Sequence, residues 1–387
     1  MPVPGKKDEC CGCSVCISVC PAKAISMETD REGFYYPAID NDKCTKCGLC
    51  DRVCAFKSFS KKPSSINSVY VAKHKDVETR MKSRSGGVFA AVSEWILSNG
   101  GSVYGCVLDD KLKAVHVRAV DASTRDLMCK SKYVQSDMTG IIDLVMSDLK
   151  NGKKVLFSGT GCQVDAVVSV CNSKKIDCSS LFTMDIICHG CVSPKIYSDY
   201  IAWLESKYKG KVSSFDFRDK TARGWDGHIE SFVINGNKHM STIYREIFHT
   251  DLCLRPSCYN CKYSVVERNS DITIADAWGI KKAAPAFNDN RGVSMFIVQS
   301  EKGKALLEAI REKCEVLDLP LEEMMQGNLK SSSQAKGNRE EFWNEYYEKG
   351  ITGIIKKYGK EPSVKKIKNF FKYKARQVLQ SDKYYLP

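Results

Sequence analysis

Two stretches near the N-terminus repeat one cysteine spacing: Cys10-x2-Cys13-x2-Cys16-x3-Cys20-Pro21 and Cys44-x2-Cys47-x2-Cys50-x3-Cys54. Thiolates bind soft metals, and this spacing suits four-iron cubanes. Three ligands two residues apart wrap one cluster, and the fourth, three residues on, reaches the other. The pattern assigns Cys10, Cys13, Cys16 and Cys54 to one 4Fe–4S cluster, and Cys44, Cys47, Cys50 and Cys20 to a second. A pair of zinc sites fits less well, because tetrahedral zinc favours separated C-x2-C units. Cys11 is surplus and reads as a bystander. Clusters of this kind move electrons singly and make no bonds.

Further along, Cys188-x2-Cys191 and Cys258-x2-Cys261 read on spacing alone as a four-thiolate site, zinc or iron–sulfur. Cys106, Cys129, Cys171, Cys178 and Cys314 have no ligand spacing and read as small apolar residues, with Cys253 open either way. Ser85-Gly86-Gly87 precedes a helical run, so its amides could hold a phosphate at a helix N-terminus. Ser158-Gly159-Thr160-Gly161-Cys162 follows a strand and opens another helix. Either turn alone is as well explained by tight-turn geometry.

These residues need elements to hold them. The chain has 387 residues, 43% of them hydrophobic and 27% charged, an ordinary globular composition that excludes collagen, coiled-coil and disordered classes. Its 20 cysteines without an apolar leader point to a reducing, cytoplasmic setting, where thiols serve metals or catalysis. No apolar stretch is long enough to span a bilayer. Strand-like runs at Lys154–Phe157, Phe182–Ile187, Asp271–Ala275 and Ser294–Gln299 alternate with helical ones, predicting an α/β domain with a mixed sheet. Asn235-Gly236 marks a hairpin turn. Expected boundaries are a cluster-binding domain at 1–60, a Lys/Ser/Pro linker at 61–68, the large domain at 69–330 and a C-terminal extension at 331–387.

Lys plus Arg number 59 against 46 for Asp plus Glu, a net +13. Much of the excess falls in 351–387, where ten basic residues face only Glu361 and Asp382. Val364, Ile367, Phe370 and Phe371 recur there at helical spacing, the pattern of a basic helix peripheral to an anionic membrane or packed on its own protein. No motif indicates nucleic acid.

Six segments in order resemble the beta subunits of coenzyme F420 hydrogenases and dehydrogenases: SGGVFAAVSEWIL (85–97), KSKYVQSDM (130–138), FSGTGCQVDAV (157–167), DIICHGCVSPKIY (185–197), FRDKTARGW (217–225) and RPSCYNCKYSVVERNSDITIADAWGI (255–280). With the ferredoxin-like start, the resemblance covers roughly residues 5–310. The layout is also similar to the F420H2 dehydrogenase input subunit and to plant 7-hydroxymethyl chlorophyll a reductase. It implies an α+β, α/β multidomain chain: a bacterial-type dicluster ferredoxin fold, a mixed-sheet α/β flavin domain and a basic helical C-terminal tail.

It further implies FAD and a third 4Fe–4S cluster, three in all. The ligands carried over are Cys162, Cys188, Cys258 and Cys261, with Cys162 replacing Cys191. Gly161 stands where the family usually has Pro. For FAD the resemblance implies Ser85, Gly86 and Gly87 at the phosphates, Lys132, Tyr133, Gln135 and Ser136 along it, and Thr160 and Asp276 near the ring. His189 is either a donor to cluster or flavin or a structural histidine. Arg84, Arg218, Lys220, Arg223 and His228 are candidates to anchor a small anionic substrate, with Arg218, Lys220 and His228 the catalytic candidates. Three readings follow. In the first, ferredoxin or a partner subunit supplies electrons to reduce an organic substrate, with a sugar or polysaccharide precursor one option. In the second, coenzyme F420 is the substrate and reduced F420 donates to a partner. In the third, the chain is an electron relay without its own substrate.

Overall fold

The computed structural model describes residues 6–59 and 68–360. The N-terminal domain is a pair of loop–helix units around a two-stranded antiparallel ribbon, β1 (Ile25–Thr29) and β2 (Tyr35–Ile39). Each cysteine loop bends through two left-handed residues at matching positions: Gly12 and Ser14 in the first, Lys46 and Gly48 in the second. Paired left-handed residues turn successive side chains inward, which the spacing alone could not show. Short helices, Val15–Val19 and Leu49–Arg52, follow the loops.

The large domain is built on an eight-stranded sheet. Its strands are β3 (Ser68–His74), β4 (Ser102–Leu108), β5 (Ala114–Ala119), β6 (Val155–Thr160), β7 (Leu181–Ile186), and, after a separate three-stranded sheet, β11 (Ile272–Asp276), β12 (Ser294–Val298) and β13 (Cys314–Pro320). The order is β13-β3-β12-β11-β7-β6-β4-β5. Four adjacent strands, β11-β7-β6-β4, are parallel, and β13-β3-β12 on one side and β5 on the other pair antiparallel. The mixed sheet expected from strand–helix alternation is therefore present.

Helices Val88–Ser98 and Glu301–Ile310 cover one face of the sheet through Val92, Ile96, Leu306 and Ile310. Helices Ile141–Lys150 and Gly161–Ser173 cover the other, sharing a core with Val15, Val19 and Val53 of the N-terminal domain. The two domains thus bury apolar surface in common. The separate sheet, β8 (Val212–Asp216), β9 (Glu230–Ile234) and β10 (Asn237–Ser241), has its hairpin at Asn235-Gly236, both left-handed as a primed turn requires.

Helix Pro194–Tyr208 packs on that sheet, started by Ser193, whose Oγ accepts from the Lys195 and Ile196 amides, and by Pro194 in the first turn. Helix Arg339–Tyr358 joins the same core through Phe342, Trp343, Tyr346, Ile354 and Ile355, with a break at Gly350. The helix that begins the expected C-terminal extension at 331–387 is thus packed on the large domain. Its twenty residues mix apolar and charged positions because one face is buried against this domain. Residues 361–387, which hold most of the expected basic helix, and residues 60–67, which hold all but the last residue of the expected 61–68 linker, lie outside the described residues. No described helix is long and apolar enough to cross a membrane.

Candidate cluster and cofactor sites

Two small cavities occupy the N-terminal domain. Cys10, Cys13, Cys16 and Cys54 line the first with Cys11, Cys50, Met27 and Pro37. Cys20, Cys44, Cys47 and Cys50 line the second with Ile25 and Ile39. Burial, together with Cys10, Cys50 and Cys54, pushes the Cys16 thiol up to about 12. Such crowded sulfurs become favourable as thiolates only around a cation, so the donor set fits the cubane it was assigned. Cys47 is exposed. Among the described residues no three His, Cys, Asp or Glu side chains converge on a single-ion site.

A larger cavity of about 540 Å³ opens at the carboxyl ends of the parallel strands. That edge is where open α/β sheets bind ligands, and the volume suits an extended cofactor. Ser85, Gly87 and Val88 bring the N-terminus of helix Val88–Ser98 to its wall. Gly87 is left-handed at the helix start (φ 92°). Gly86 is not in the wall. Its amide donates to Ser294 Oγ at 2.8 Å, and a Cβ there would fall 2.1 Å from the Ala72 carbonyl oxygen. Its expected phosphate role is therefore corrected to close packing under the loop.

Lys132, Tyr133, Ser136, Thr160 and Asp276 all line the cavity. Burial lowers the Lys132 ammonium to about 8, and its Nζ donates to the Leu127 carbonyl at 2.6 Å. Asp276 accepts from Arg84 (3.0 Å), Arg218 (3.2 Å) and Trp225 Nε1 (2.9 Å), so both of its oxygens are engaged. Gln135 is absent from the wall. It turns instead toward the N-terminal domain, 3.4 Å from the Cys11 carbonyl and 2.9 Å from Arg255. It therefore belongs to the domain junction rather than to the cavity.

Arg84, Arg218 and His228 line the cavity as expected of anion anchors. Arg84 Nε and Nη1 are buried with no hydrogen-bond partner among the described residues. Two orphaned donors beside a helix N-terminus fit a phosphate. Burial and the neighbouring Arg218 push His228 down to about 2, and its Nδ1 lies 3.2 Å from His249 Nε2.

Lys220 is a correction. It lies behind the loop, where its Nζ donates to the carbonyls of Arg80 (2.7 Å), Ser85 (2.8 Å) and Arg291 (2.8 Å), tying three segments together. Arg223 is exposed and outside the cavity wall. Residues that the spacing did not single out for the cavity also line it: Cys106, Cys129 and the exposed Trp278, stacked on Trp225 at 5.1 Å.

Behind the cavity's inner wall the later cysteines gather. Cys261 interacts electrostatically with Cys162, Cys258 and Cys188, Cys162 does so with Cys188, and burial pushes Cys261 up to about 12. Cys191 is hydrogen-bonded to the thiols of Cys188 and Cys258, and its amide donates to Cys258 Sγ at 3.4 Å. That contact holds Cys258 down at about 7. Cys11 is no bystander, since its thiol contacts those of Cys13 and Cys162. Gly161 lies against Tyr263 and Asp185, with room for a Cβ only at 3.0–3.2 Å, which accounts for a bare residue there. His189 pairs with the buried Asp251, so its ring is held by the protein.

A sheet with a cofactor-sized cavity at its carboxyl edge, backed by cysteines and joined to a dicluster module, defines an iron–sulfur electron-transfer protein of the oxidoreductase type. Residues 152–321 match the family described as the C terminus of the coenzyme F420 hydrogenase/dehydrogenase beta subunit, and residues 9–58 match the 4Fe-4S dicluster domain. The chain thus shares a region with the C terminus of that beta subunit and carries a 4Fe-4S dicluster domain ahead of it. Among solved structures it is similar to a chain of the F420-reducing nickel–iron hydrogenase complex from Methanosarcina barkeri, studied with xenon. The two are 17% identical with a TM-score of 0.46, over 70% of this chain and 88% of that one. No curated protein matches it.

Proposed function

We propose that the chain is a flavin- and iron–sulfur-dependent reductase. FAD would lie in the 540 Å³ cavity, a third 4Fe–4S cluster would be held by Cys162, Cys188, Cys258 and Cys261, and an external one-electron carrier would supply electrons through the N-terminal clusters. The substrate would be a small organic anion. One observation carries this reading: Thr160, Cys188 and Cys191 belong to the cavity wall, while Cys162 behind it touches Cys11 of the first cluster loop. Cavity, cysteine group and ferredoxin domain are therefore contiguous.

A flavin bound there would exchange a hydride with substrate and pass single electrons onward. The residues supply the rest. The N-terminus of helix Val88–Ser98 and the free donors of Arg84 suit the phosphates. Gln163 Oε1 accepts from the Thr160 amide at 3.0 Å, and Gln163 Nε2 donates to Ser136 Oγ at 2.9 Å, fixing two wall residues. Arg218 and Arg84 neutralise Asp276, leaving a net positive wall that favours an anion.

Anaerobic purification followed by iron, acid-labile sulfide, zinc and flavin analysis tests this reading. About twelve irons and one FAD per chain are expected for three cubanes. About eight irons with one zinc would make the later cysteines a structural site and end the proposed route. Bleaching of the flavin by reduced ferredoxin, or by reduced F420, would then identify the donor.

A further inference from the structure

Arg255 sits where the two domains meet, and its side chain is among the most deeply buried in the protein, 1% exposed. Nε donates to the Cys10 carbonyl at 2.6 Å, Nη2 to the Tyr35 carbonyl at 2.9 Å and Nη1 to Gln135 Oε1 at 2.9 Å. The guanidinium also lies 4.1 Å from the centroid of the Tyr36 ring. Cys10, Tyr35 and Tyr36 belong to the N-terminal domain, whereas Gln135 and Arg255 itself belong to the large one. Every one of these acceptors is neutral, and among the described residues no carboxylate pairs with Arg255.

A buried cation with only neutral partners is costly. Something must compensate it. The sulfur-bearing segments nearest to it are the Cys10 loop, whose carbonyl it binds, and the turn that ends at Cys258. Cys10 belongs to the first cluster set. Cys258 belongs to the proposed third set and follows Arg255 by three residues, at the end of the short turn Pro256–Cys258. Gly12 makes room for this arrangement: a Cβ there would fall 2.3 Å from Gln135 Nε2 and 2.9 Å from Arg255 Nη1.

We propose that Arg255 is a positioning residue whose fixed positive charge is shared by two clusters. It docks the N-terminal domain through the Cys10 and Tyr35 carbonyls, and it makes the clusters held at Cys10 and at Cys258 easier to reduce than they would be beside a neutral residue. The second N-terminal cluster, held by Cys20, Cys44, Cys47 and Cys50, is outside its contacts and is the internal reference. The part concerning Cys258 rests on the proposed third cluster, whereas the part concerning Cys10 does not.

The test is an EPR-monitored redox titration of the full-length, cluster-loaded protein and two variants. Arg255→Gln removes the charge and keeps hydrogen-bonding capacity. Gln135→Glu leaves Arg255 in place and sets a carboxylate against its Nη1, cancelling the charge from the other side. Each should make the Cys10-side cluster, and the Cys258-side cluster if present, about tenfold harder to reduce, which is 59 mV for a one-electron couple. The reference cluster should not move. Unchanged potentials in either loaded variant, or an equal shift in all clusters, would overturn the proposal. Should Arg255→Gln fail to load, Gln135→Glu decides alone. A wild-type chain with only eight irons defeats the third-cluster reading, and the Cys10-side cluster still reports on Arg255.

Discussion

Thr160 Oγ1 lies 3.1 Å from Cys162 Sγ, across the first turn of helix Gly161–Ser173. One turn therefore presents a hydroxyl to the cavity and a sulfur to the cysteine group. With Cys162 as a thiolate ligand, the hydroxyl must be the donor. Thr160→Val keeps the shape and removes that bond. A hydrogen bond to a charged acceptor contributes about 1.5–3 kcal/mol, so the third cluster should become about tenfold harder to reduce. Flavin content should stay near one per chain. Redox titration against flavin absorbance checks both.

The ligand set makes a countable prediction. Cys162→Ser and Cys258→Ala should each lower iron from about twelve to about eight per chain with FAD retained. Cys191→Ser should leave about twelve, because its contacts with Cys188 and Cys258 support the site without completing it. In Cys258→Ala, reduced flavin should no longer pass electrons to the N-terminal clusters in stopped-flow mixing. Loss of iron in Cys191→Ser would exchange its role with that of Cys162.

Gly86 is tightly packed in the loop behind Ser85 and Gly87 of the cavity wall. Gly86→Ala would drive a methyl into the Ala72 carbonyl oxygen at 2.1 Å and the Ser294 nitrogen at 2.4 Å, backbone atoms of the paired strands β3 and β12. The expected cost is about 3 kcal/mol, with weaker flavin retention. Urea unfolding and flavin release on gel filtration measure the two effects separately.

His116 supplies a pH dependence. Burial holds its imidazole down at about 4, against an ordinary 6.5, where it stacks on Phe157 and faces the Ser158 carbonyl at 3.3 Å. Between those values the unfolded chain binds a proton that the folded one refuses. Stability from this group is therefore complete above pH 6.5 and is lost as pH falls toward 4. Between pH 7.5 and 5.5 the loss should be about 1.4 kcal/mol. His116→Gln should remove that increment from the difference in urea midpoints.

Truncation separates the two parts of the C-terminal region. A chain ending at Lys360 keeps Ile354 and Ile355 in the core and should fold like the full protein. Ending at Gly350 removes both and should cost about 4 kcal/mol or more. Sedimentation with anionic liposomes, full length against the Lys360 truncation, then reports on the 27 basic-rich residues alone. Equal binding by both would end the membrane reading.

What was legible in the sequence was local. The C-x2-C spacing, the strand before Ser158 and Gly159, the Ser85-Gly86-Gly87 turn before a helix, and Asn235-Gly236 are all signals within a few residues. A helix does start after Gly87 and Asn235-Gly236 does make the hairpin, while the strand read as ending at Phe157 runs on through Thr160. What failed was long range. Gln135 lies in a segment that resembles flavin-contacting sequence, yet it faces the cysteine loop because a residue 120 positions away, Arg255, draws it there. Lys220 looked like an anion anchor because Lys is usually exposed, but three carbonyls from distant segments converge on it. Helix Arg339–Tyr358 looked like a charged extension because half of its face is charged, and its partners were not visible in the pattern. Cys11 had no spacing partner because its neighbour, Cys162, comes from another domain.

The paired left-handed turns of the two cysteine loops have diverged in one respect. In the first loop, Gly12 is pressed by Gln135 and Arg255, and no larger residue would fit. In the second, the matching position is Lys46, and a Cβ at Gly48 would find only Arg52, at 3.7 Å. One half of a near-duplicate motif is sealed inside the protein, and the other, with Cys47, faces water. A symmetrical device has thereby acquired polarity: an insulated terminal toward the cavity and a bare contact toward the outside.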